Sequence, residues 1–175
     1  MAMFMTFAYI SFGSNKGDRS RNVARALDFL RRHFTIVDVS SFYESEPVYT
    51  NQTNNFINGI VKIETDSGAE FVYNQIGIIE KQMGKINVER DQDKLIDIEL
   101  LYYGDTIVSV PPIPHHKAHQ RKYILVPMCE LDCEFTHPSL GKTQREMLDT
   151  LDSPRSVKKI PSEDLGTTEI SHIAP

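Results

Sequence analysis

Leu95-Ile96-Asp97-Ile98-Glu99-Leu100-Leu101 alternates in character from residue to residue. That period belongs to a β-strand, where successive side chains point to opposite faces. Ile96, Ile98 and Leu100 fall on one face, Asp97 and Glu99 on the other. The apolar face can seal a core while the acidic face stays open. At a rise of ~3.4 Å per residue the two carboxylates leave the backbone ~7 Å apart, so their tips can converge on one or two hard cations. Mg²⁺ takes such ligation: one or two carboxylates, several waters and substrate phosphates. An amphipathic strand with a merely solvated charged face has the same pattern, and such faces are common. The flanking segments have to decide between the two.

Upstream, Lys85 to Lys94 is a charged loop. Before it, Ser67-Gly68-Ala69-Glu70 has the form of a capping box. Val72, Ile76, Ile79 and Met83 follow at helical spacing, and Gly84 is a plausible stop. Phe56 to Glu64 reads as a strand with Ile57, Val61 and Ile63 on one face and Phe56 and Asn58 on the other. Glu44 to Asn54 has no period and reads as a long loop, a kind of segment that is often functional. Thr35 to Tyr43 is β-branched and strand-like; Val23, Ala26, Leu27 and Leu30 mark a helix that Asp18 or Ser20 could cap. Phe7 to Phe12 is the first strand, leading into the turn Gly13-Ser14-Asn15-Lys16-Gly17-Asp18.

The order is β-α-β-β-α-β. That predicts an α+β, ferredoxin-like fold: an antiparallel sheet with both helices on one face. The other sheet face should be free and carry Phe56, Asn58, Asp97 and Glu99. Downstream, Pro111-Pro112-Ile113-Pro114 excludes regular helix, and Tyr123 to Leu131 and Thr143 to Leu151 predict a C-terminal helical extension. Residues 1–152 are expected to form a single domain. Residues 153–175, rich in Ser, Pro, Gly, Thr and charge, are expected to be a tail, partly disordered or hugging the surface.

The 175 residues suffice for one real core, and a net charge of −5 speaks against a general nucleic-acid or membrane binder. The apolar start lacks a basic n-region and a cleavage site, and no apolar run is long enough to span a bilayer. Cys129 and Cys133, four apart in a predicted helix, are neighbours on one face rather than an obvious disulfide. A reduced, cytoplasmic setting and a monomer or weak dimer are expected.

Positive charge is concentrated although the chain is acidic. Lys85, Arg90 and Lys94 flank the acidic strand, and His115, His116, Lys117, His119, Arg121 and Lys122 lie within eight residues. A metal-bridged polyphosphate needs this mixture, carboxylates for the cation and cations for the phosphate oxygens. A solvated loop is the bland alternative for both clusters. Zn²⁺ on His115 and His119 lacks a clear third ligand. The glycine loop fails as a P-loop, because no Gly-Lys-Ser/Thr closes it. Phe56 beside Asn58 resembles a ring-binding platform, an aromatic face plus an amide that both donates and accepts; edge packing would explain the pair equally well.

These pieces, in this order, resemble the 6-hydroxymethyl-7,8-dihydropterin pyrophosphokinase family of folate biosynthesis. The resemblance runs from Ala8 to about Leu151. It rests on Ala8-Tyr9-Ile10 with Gly13-Ser14-Asn15-x-Gly17-Asp18, on Ser40 to Val48, and on Asn55-Phe56-Ile57-Asn58. It continues through Ile79-Glu80-x-x-x-Gly84-Lys85, Leu95 to Glu99, Pro114-His115 and Arg121-x-Tyr123-Ile124-Leu125-x-Pro127. Each motif is weak alone; collinear over more than a hundred residues they are strong. The resemblance implies a ferredoxin-like fold and pyrophosphate transfer from ATP to the pterin hydroxymethyl group, releasing AMP. It implies two Mg²⁺ ions on Asp97 and Glu99, and Asn58 on the pterin edge with Phe56 and Tyr123 stacking on its faces. Ser45, Glu46 and Val48 would supply loop contacts to the pterin, and Glu80, His115 and Arg121 would contact ATP. Lys85 and Lys94 fall where the family usually has arginines, and Arg90 adds charge for the nucleotide. Glu99 stands where the family normally has Asp, and Gln92-Asp93-Lys94 where it normally reads Gly-Pro-Arg. Two rivals share the scaffold. One is a non-catalytic pterin- or nucleotide-binding paralogue. The other is an RNA-binding module, which would need the aromatic-rich strand this sequence lacks.

Overall fold

The computed structural model describes residues 5–85 and 92–165. Strand β1 (Thr6–Ser14) is central. It pairs antiparallel with β4 (Phe56–Thr65) on one side and β5 (Asp97–Tyr103) on the other. Helix α1 (Arg19–His33) follows β1 and α2 (Ala69–Gln82) follows β4. Both pack on one sheet face, where Ile10 and Phe12 of β1, Leu27 and Leu30 of α1, and Ile76 and Ile79 of α2 are buried together. The apolar stripes read from helical spacing are the buried ones.

The expected second strand is two strands, β2 (Thr35–Val39) and β3 (Tyr43–Ser45), both paired with β4. Ser40 bridges the break. Its N–H donates to the Ile60 carbonyl at 2.9 Å, and its hydroxyl accepts from the Ile60 N–H at 2.9 Å. A side chain thus takes over a ladder position while the backbone turns. Asp18 caps α1 by accepting from the Arg21 N–H. The capping box expected at Ser67 does not form: α2 begins after Gly68 with no side-chain cap. The Ser67 hydroxyl instead reaches Asp66. A capping box does open α4 (Gln144–Asp149), through Thr143 and Glu146. Gly84, at φ +88°, ends α2 in the left-handed region that glycine adopts without penalty.

The second sheet face is not free along its length. Helix α3 (Lys122–Asp132) covers half of it, burying Ile124 and Met128 against Tyr9, Ile60, Leu101 and Tyr102. An irregular register between Tyr9 and Ile10 leaves Leu101 unpaired between Leu100 and Tyr102. The bulge lets both Leu101 and Tyr102 join this second core. The Tyr9 hydroxyl donates to Asp132 at 2.6 Å, fixing the end of α3 to the central strand. Only the end of the face that carries Phe56, Asn58, Asp97 and Glu99 stays open. Cys129 and Cys133, expected merely as neighbours on a helix face, are joined by a disulfide.

Residues after Asp152, expected as a tail, contribute β6 (Val157–Lys159), which pairs with β3, and Leu165 is buried in the main core. Glu130 of α3 braces this edge. It accepts from the Ser41 hydroxyl at 2.6 Å, the Ser41 N–H at 3.0 Å and the Tyr43 hydroxyl at 2.7 Å. Burial pushes the Glu130 carboxyl up, but these donors and Lys159 more than reverse it, so the net shift is downward. A carboxyl lowered on folding stabilises fully above its unfolded value of ~4.3 and loses that contribution as pH falls through the folded value. Glu130→Gln should therefore cost about 1 kcal/mol at pH 7, discounted for its surface position. The gap to the parent chain should shrink as pH drops below ~4.3. Urea unfolding at several pH values reads this; a gap that is constant with pH would remove Glu130 as a charged brace.

Candidate active site

Strand register builds the floor of the site. Gly13 of β1 pairs with Asn58 of β4 on one side and Asp97 of β5 on the other. Asn58 and Asp97 therefore stand two strands apart, ~10 Å at the backbone. Between them Gly13 leaves bare floor. A Cβ at Gly13 would lie 2.7 Å from the Asn58 side-chain oxygen, so the amide can sit where it does only over glycine. Sequence reading gave Gly13 to the turn; here it belongs to the site.

At one end are Phe56, Asn58 and Tyr123, which line a single cleft with Ser45, Glu46 and Val48. The Asn58 amide nitrogen donates to the Ser45 hydroxyl at 2.7 Å, which orients it. Arg121 lies over the Tyr123 ring, 5.7 Å from its centre. Burial pushes the Tyr123 phenol well above its ordinary value, so it is neutral at any working pH.

At the other end are Asp97, Glu99, Lys94, His115 and Arg121, lining the same cleft. Each carboxylate is held by two basic side chains. Asp97 meets Lys85 at 3.0 Å and Lys94 at 3.1 Å. Glu99 meets Arg121 at 2.7 Å and His115 Nε2 at 3.3 Å. Burial pushes the Glu99 carboxyl up, yet His115, Arg121 and Lys94 together draw it down to about 2. Burial likewise opposes the Lys85 ammonium, and Asp97 and Glu80 overturn it, so Lys85 stays charged.

Glu80 and Lys85 stand behind the cleft rather than in its lining. Glu80 accepts from Lys85 at 2.5 Å and from the Ile98 N–H at 2.8 Å. It thereby satisfies a donor on the edge strand and holds Lys85 towards Asp97. Burial, the largest influence on it, nets a raised Glu80 carboxyl. Arg90 lies outside the described residues. Tyr49, Gln52 and Lys117 also line the cleft. Lys117 belongs to the basic cluster read from the sequence, and Tyr49 and Gln52 to the aperiodic 44–54 loop, where no period picks out single residues.

The donor set suits a hard divalent cation. Two carboxylates share one face, and the surrounding charge can pass to phosphate oxygens. Among the described residues no group of three or more His, Cys, Asp or Glu could hold a metal ion unaided. A cation here would complete its shell with substrate and water oxygens, and the Zn²⁺ alternative finds no third ligand.

An antiparallel sheet backed by two helices, with an aromatic-amide end and a charge-rich carboxylate end in one cleft, defines an α+β protein. The chain belongs to the 7,8-dihydro-6-hydroxymethylpterin-pyrophosphokinase (HPPK) family, whose family model matches residues 9–133. The folic acid synthesis protein FOL1 of Dictyostelium discoideum is 30% identical over 167 residues, 94% of this chain and 25% of that protein. Its Schizosaccharomyces pombe counterpart is 34% identical over 150 residues, 83% of this chain and 20% of that protein. The chain thus spans a quarter or less of the length of these two relatives. The 2-amino-4-hydroxy-6-hydroxymethyldihydropteridine pyrophosphokinase of Haemophilus influenzae is 28% identical over 139 residues, 77% of this chain and 87% of that one. Plasmodium falciparum HPPK-DHPS, solved with pteroate, shares the fold. Its TM-score is 0.69 at 15% identity, over 83% of this chain and 44% of that one. Among the described residues no helix is long and apolar enough to cross a membrane.

Proposed function

We propose that the chain transfers the pyrophosphoryl group of ATP to 6-hydroxymethyl-7,8-dihydropterin, giving the pterin diphosphate and AMP, with two Mg²⁺ ions at Asp97 and Glu99. The observation that carries this reading is the placement of a ring-binding end and a carboxylate-cation end in one cleft, across the bare Gly13 floor. Asn58 reads the edge of the pterin, and Phe56 and Tyr123 hold its faces. The ring is thereby fixed with its hydroxymethyl group towards Asp97. Lys94, His115 and Arg121 line the phosphate end, with Lys85 behind Asp97. Their charge passes from the carboxylates to the nucleotide oxygens when it binds.

The hydroxyl oxygen attacks the β-phosphorus and releases its proton to solvent, the bond from that phosphorus to the α,β-bridging oxygen breaks, and AMP leaves with that oxygen. Bound Mg²⁺ would supply charge neutralisation and a more acidic hydroxyl. The chain's part is orientation and electrostatic stabilisation, the terms that dominate phosphoryl transfer. The direct test mixes protein, ATP, Mg²⁺ and the pterin and seeks AMP and the pterin diphosphate by mass spectrometry. Both ligands bound without product would favour the non-catalytic paralogue.

The ring-binding end has its own expected result. Stacking on an aromatic contributes roughly 0.5–1.5 kcal/mol beyond area burial. Phe56→Ala and Tyr123→Ala should each weaken pterin binding and leave nucleotide binding without pterin nearly unchanged. Calorimetry with each ligand separates the two; equal loss of both would mark a structural role.

A further inference from the structure

Strand β6 lies beyond the span that the family model matches, residues 9–133, yet it closes the sheet beside the ring-binding end. Ser45 of β3 lies between Val157 of β6 and Phe56 of β4, and Tyr43 lies between Lys159 and Asn58. Just past β6, the Ile160 N–H donates to the Phe42 carbonyl at 2.9 Å. Hydrogen-bonded pairs alternate along an antiparallel ladder, so the next one is Glu44 with Lys158. The backbone groups of Tyr43 and Ser45 then turn the other way, to Asn58 and Phe56. Beyond β6 the chain is anchored at depth, with Leu165 buried in the main core.

β3 is only three residues long. Without β6 it would be a short edge strand whose outer backbone groups are unpaired and whose ends fray. Its Ser45 hydroxyl accepts from the Asn58 amide nitrogen at 2.7 Å, and both residues are buried. That bond leaves the amide oxygen over Gly13. An amide turned end for end would exchange donor and acceptor, so Ser45 decides which ring edge Asn58 can read. Val157, opposite Ser45 on the same sheet face, stands beside that hydroxyl.

We propose that β6 is a positioning element for the ring-binding end. Through its pairing with β3 it holds the Ser45 hydroxyl that sets the Asn58 amide, and the backbone of Lys158 is the joint of that pairing. The identity of the ring as a pterin rests on the pyrophosphokinase reading. The relay from β6 to Asn58 does not.

The test compares Lys158→Pro, which removes the N–H that faces Glu44, with Lys158→Ala, which removes only an exposed side chain. Calorimetry gives the dissociation constants of 6-hydroxymethylpterin and, separately, of α,β-methylene-ATP with Mg²⁺. Lys158→Pro should bind the pterin about tenfold more weakly and the nucleotide within about twofold of the parent, while Lys158→Ala matches the parent for both. Ser45→Ala should show the same pterin loss. The double variant should lose no more than about twofold beyond either single one, because both act through one hydroxyl. Val157→Gly loosens β6 without removing a donor and carries the comparison if the proline variant does not fold, with about a threefold pterin loss. Without any ligand, the side-chain amide signals of Asn58 in the NMR spectrum should move in Lys158→Pro and stay in Lys158→Ala. Pterin affinity that survives in Lys158→Pro or Val157→Gly, losses that add in the double variant, or an equal loss in Lys158→Ala overturns the proposal. So does equal weakening of pterin and nucleotide, the mark of a merely structural role, and so do Asn58 signals alike in Lys158→Pro and parent. A parent chain that binds neither ligand sinks the pyrophosphokinase reading instead, and the Asn58 signals alone then judge the relay.

Discussion

Asp97→Asn should cut turnover by on the order of 10³-fold, about 4 kcal/mol of transition-state stabilisation, and leave the fold intact. The fold survives because Asp97 lies on the cleft face while Ile96 and Ile98 beside it pack the main core. The activity does not, because Asp97 does two things at once. It supplies an anionic oxygen at the position two strands from Asn58, and it holds Lys85 and Lys94 beside the cleft by ion pairs at 3.0 Å and 3.1 Å. Asn keeps the shape and loses the charge. Lys94 then loses its ion pair with Asp97, while Lys85 keeps Glu80. Steady-state rates together with a thermal melt check both halves. Near-normal turnover in the Asn variant would remove Asp97 from the site.

The parts of the fold legible in the sequence are those whose side chains obey one period. α1 and α2 each bury one stripe, and β1, β4 and β5 alternate along most of their length, so their residues are readable from spacing. The split of the second strand was not, because a side-chain hydroxyl of Ser40 fills a backbone role that hydropathy does not record. α3 was legible as a helix but not in its place. Ile124, Leu125, Pro127 and Met128 are all buried, so no single stripe announces which sheet face it covers. β6 is three residues long with one apolar side chain, too short to carry a period.

In the site the same division holds. The carboxylate pair, the platform of Phe56 and Asn58 and the basic cluster were visible as residue types in order. The resemblance to a family assigned them roles that periodicity alone could not. Three features needed the third dimension. Gly13 is floor because of its register against two strands. Glu80, which the resemblance assigns to ATP, is a brace for Ile98 and Lys85. Asp93 stands in the stretch that normally reads Gly-Pro-Arg, and the sequence assigns its charge no role. Its four donors instead spend that charge on Asn15, Thr53 and Asn54, and its carboxyl is lowered accordingly once burial is overcome.

Glu99→Asp separates a co-adapted site from a degraded one. The family's usual Asp is one methylene shorter, a carboxylate displacement of ~1.5 Å for an extended side chain. If the longer side chain were a defect, shortening it would raise activity. The geometry around Glu99 argues the other way. Its two oxygens are taken separately, one by Arg121 at 2.7 Å and one by His115 at 3.3 Å. Arg121 and His115 come from segments anchored by their own packing, Ile124 and Leu125 just beyond Arg121 being fully buried. They cannot follow a retreating carboxylate without disturbing that core. An Asp would leave both side chains partly unpaired in a site where ~1 Å of misplacement can cost ~10²-fold. Glu99→Asp is therefore expected to lower kcat by about 10²-fold, with a higher Mg²⁺ requirement. Arg121→Lys should not rescue it, because Lys lacks the fork that Arg presents to an anion. Steady-state kinetics across Mg²⁺ concentrations reads both effects. A clear rise in kcat for Glu99→Asp would defeat co-adaptation and favour the paralogue that has lost its catalytic geometry.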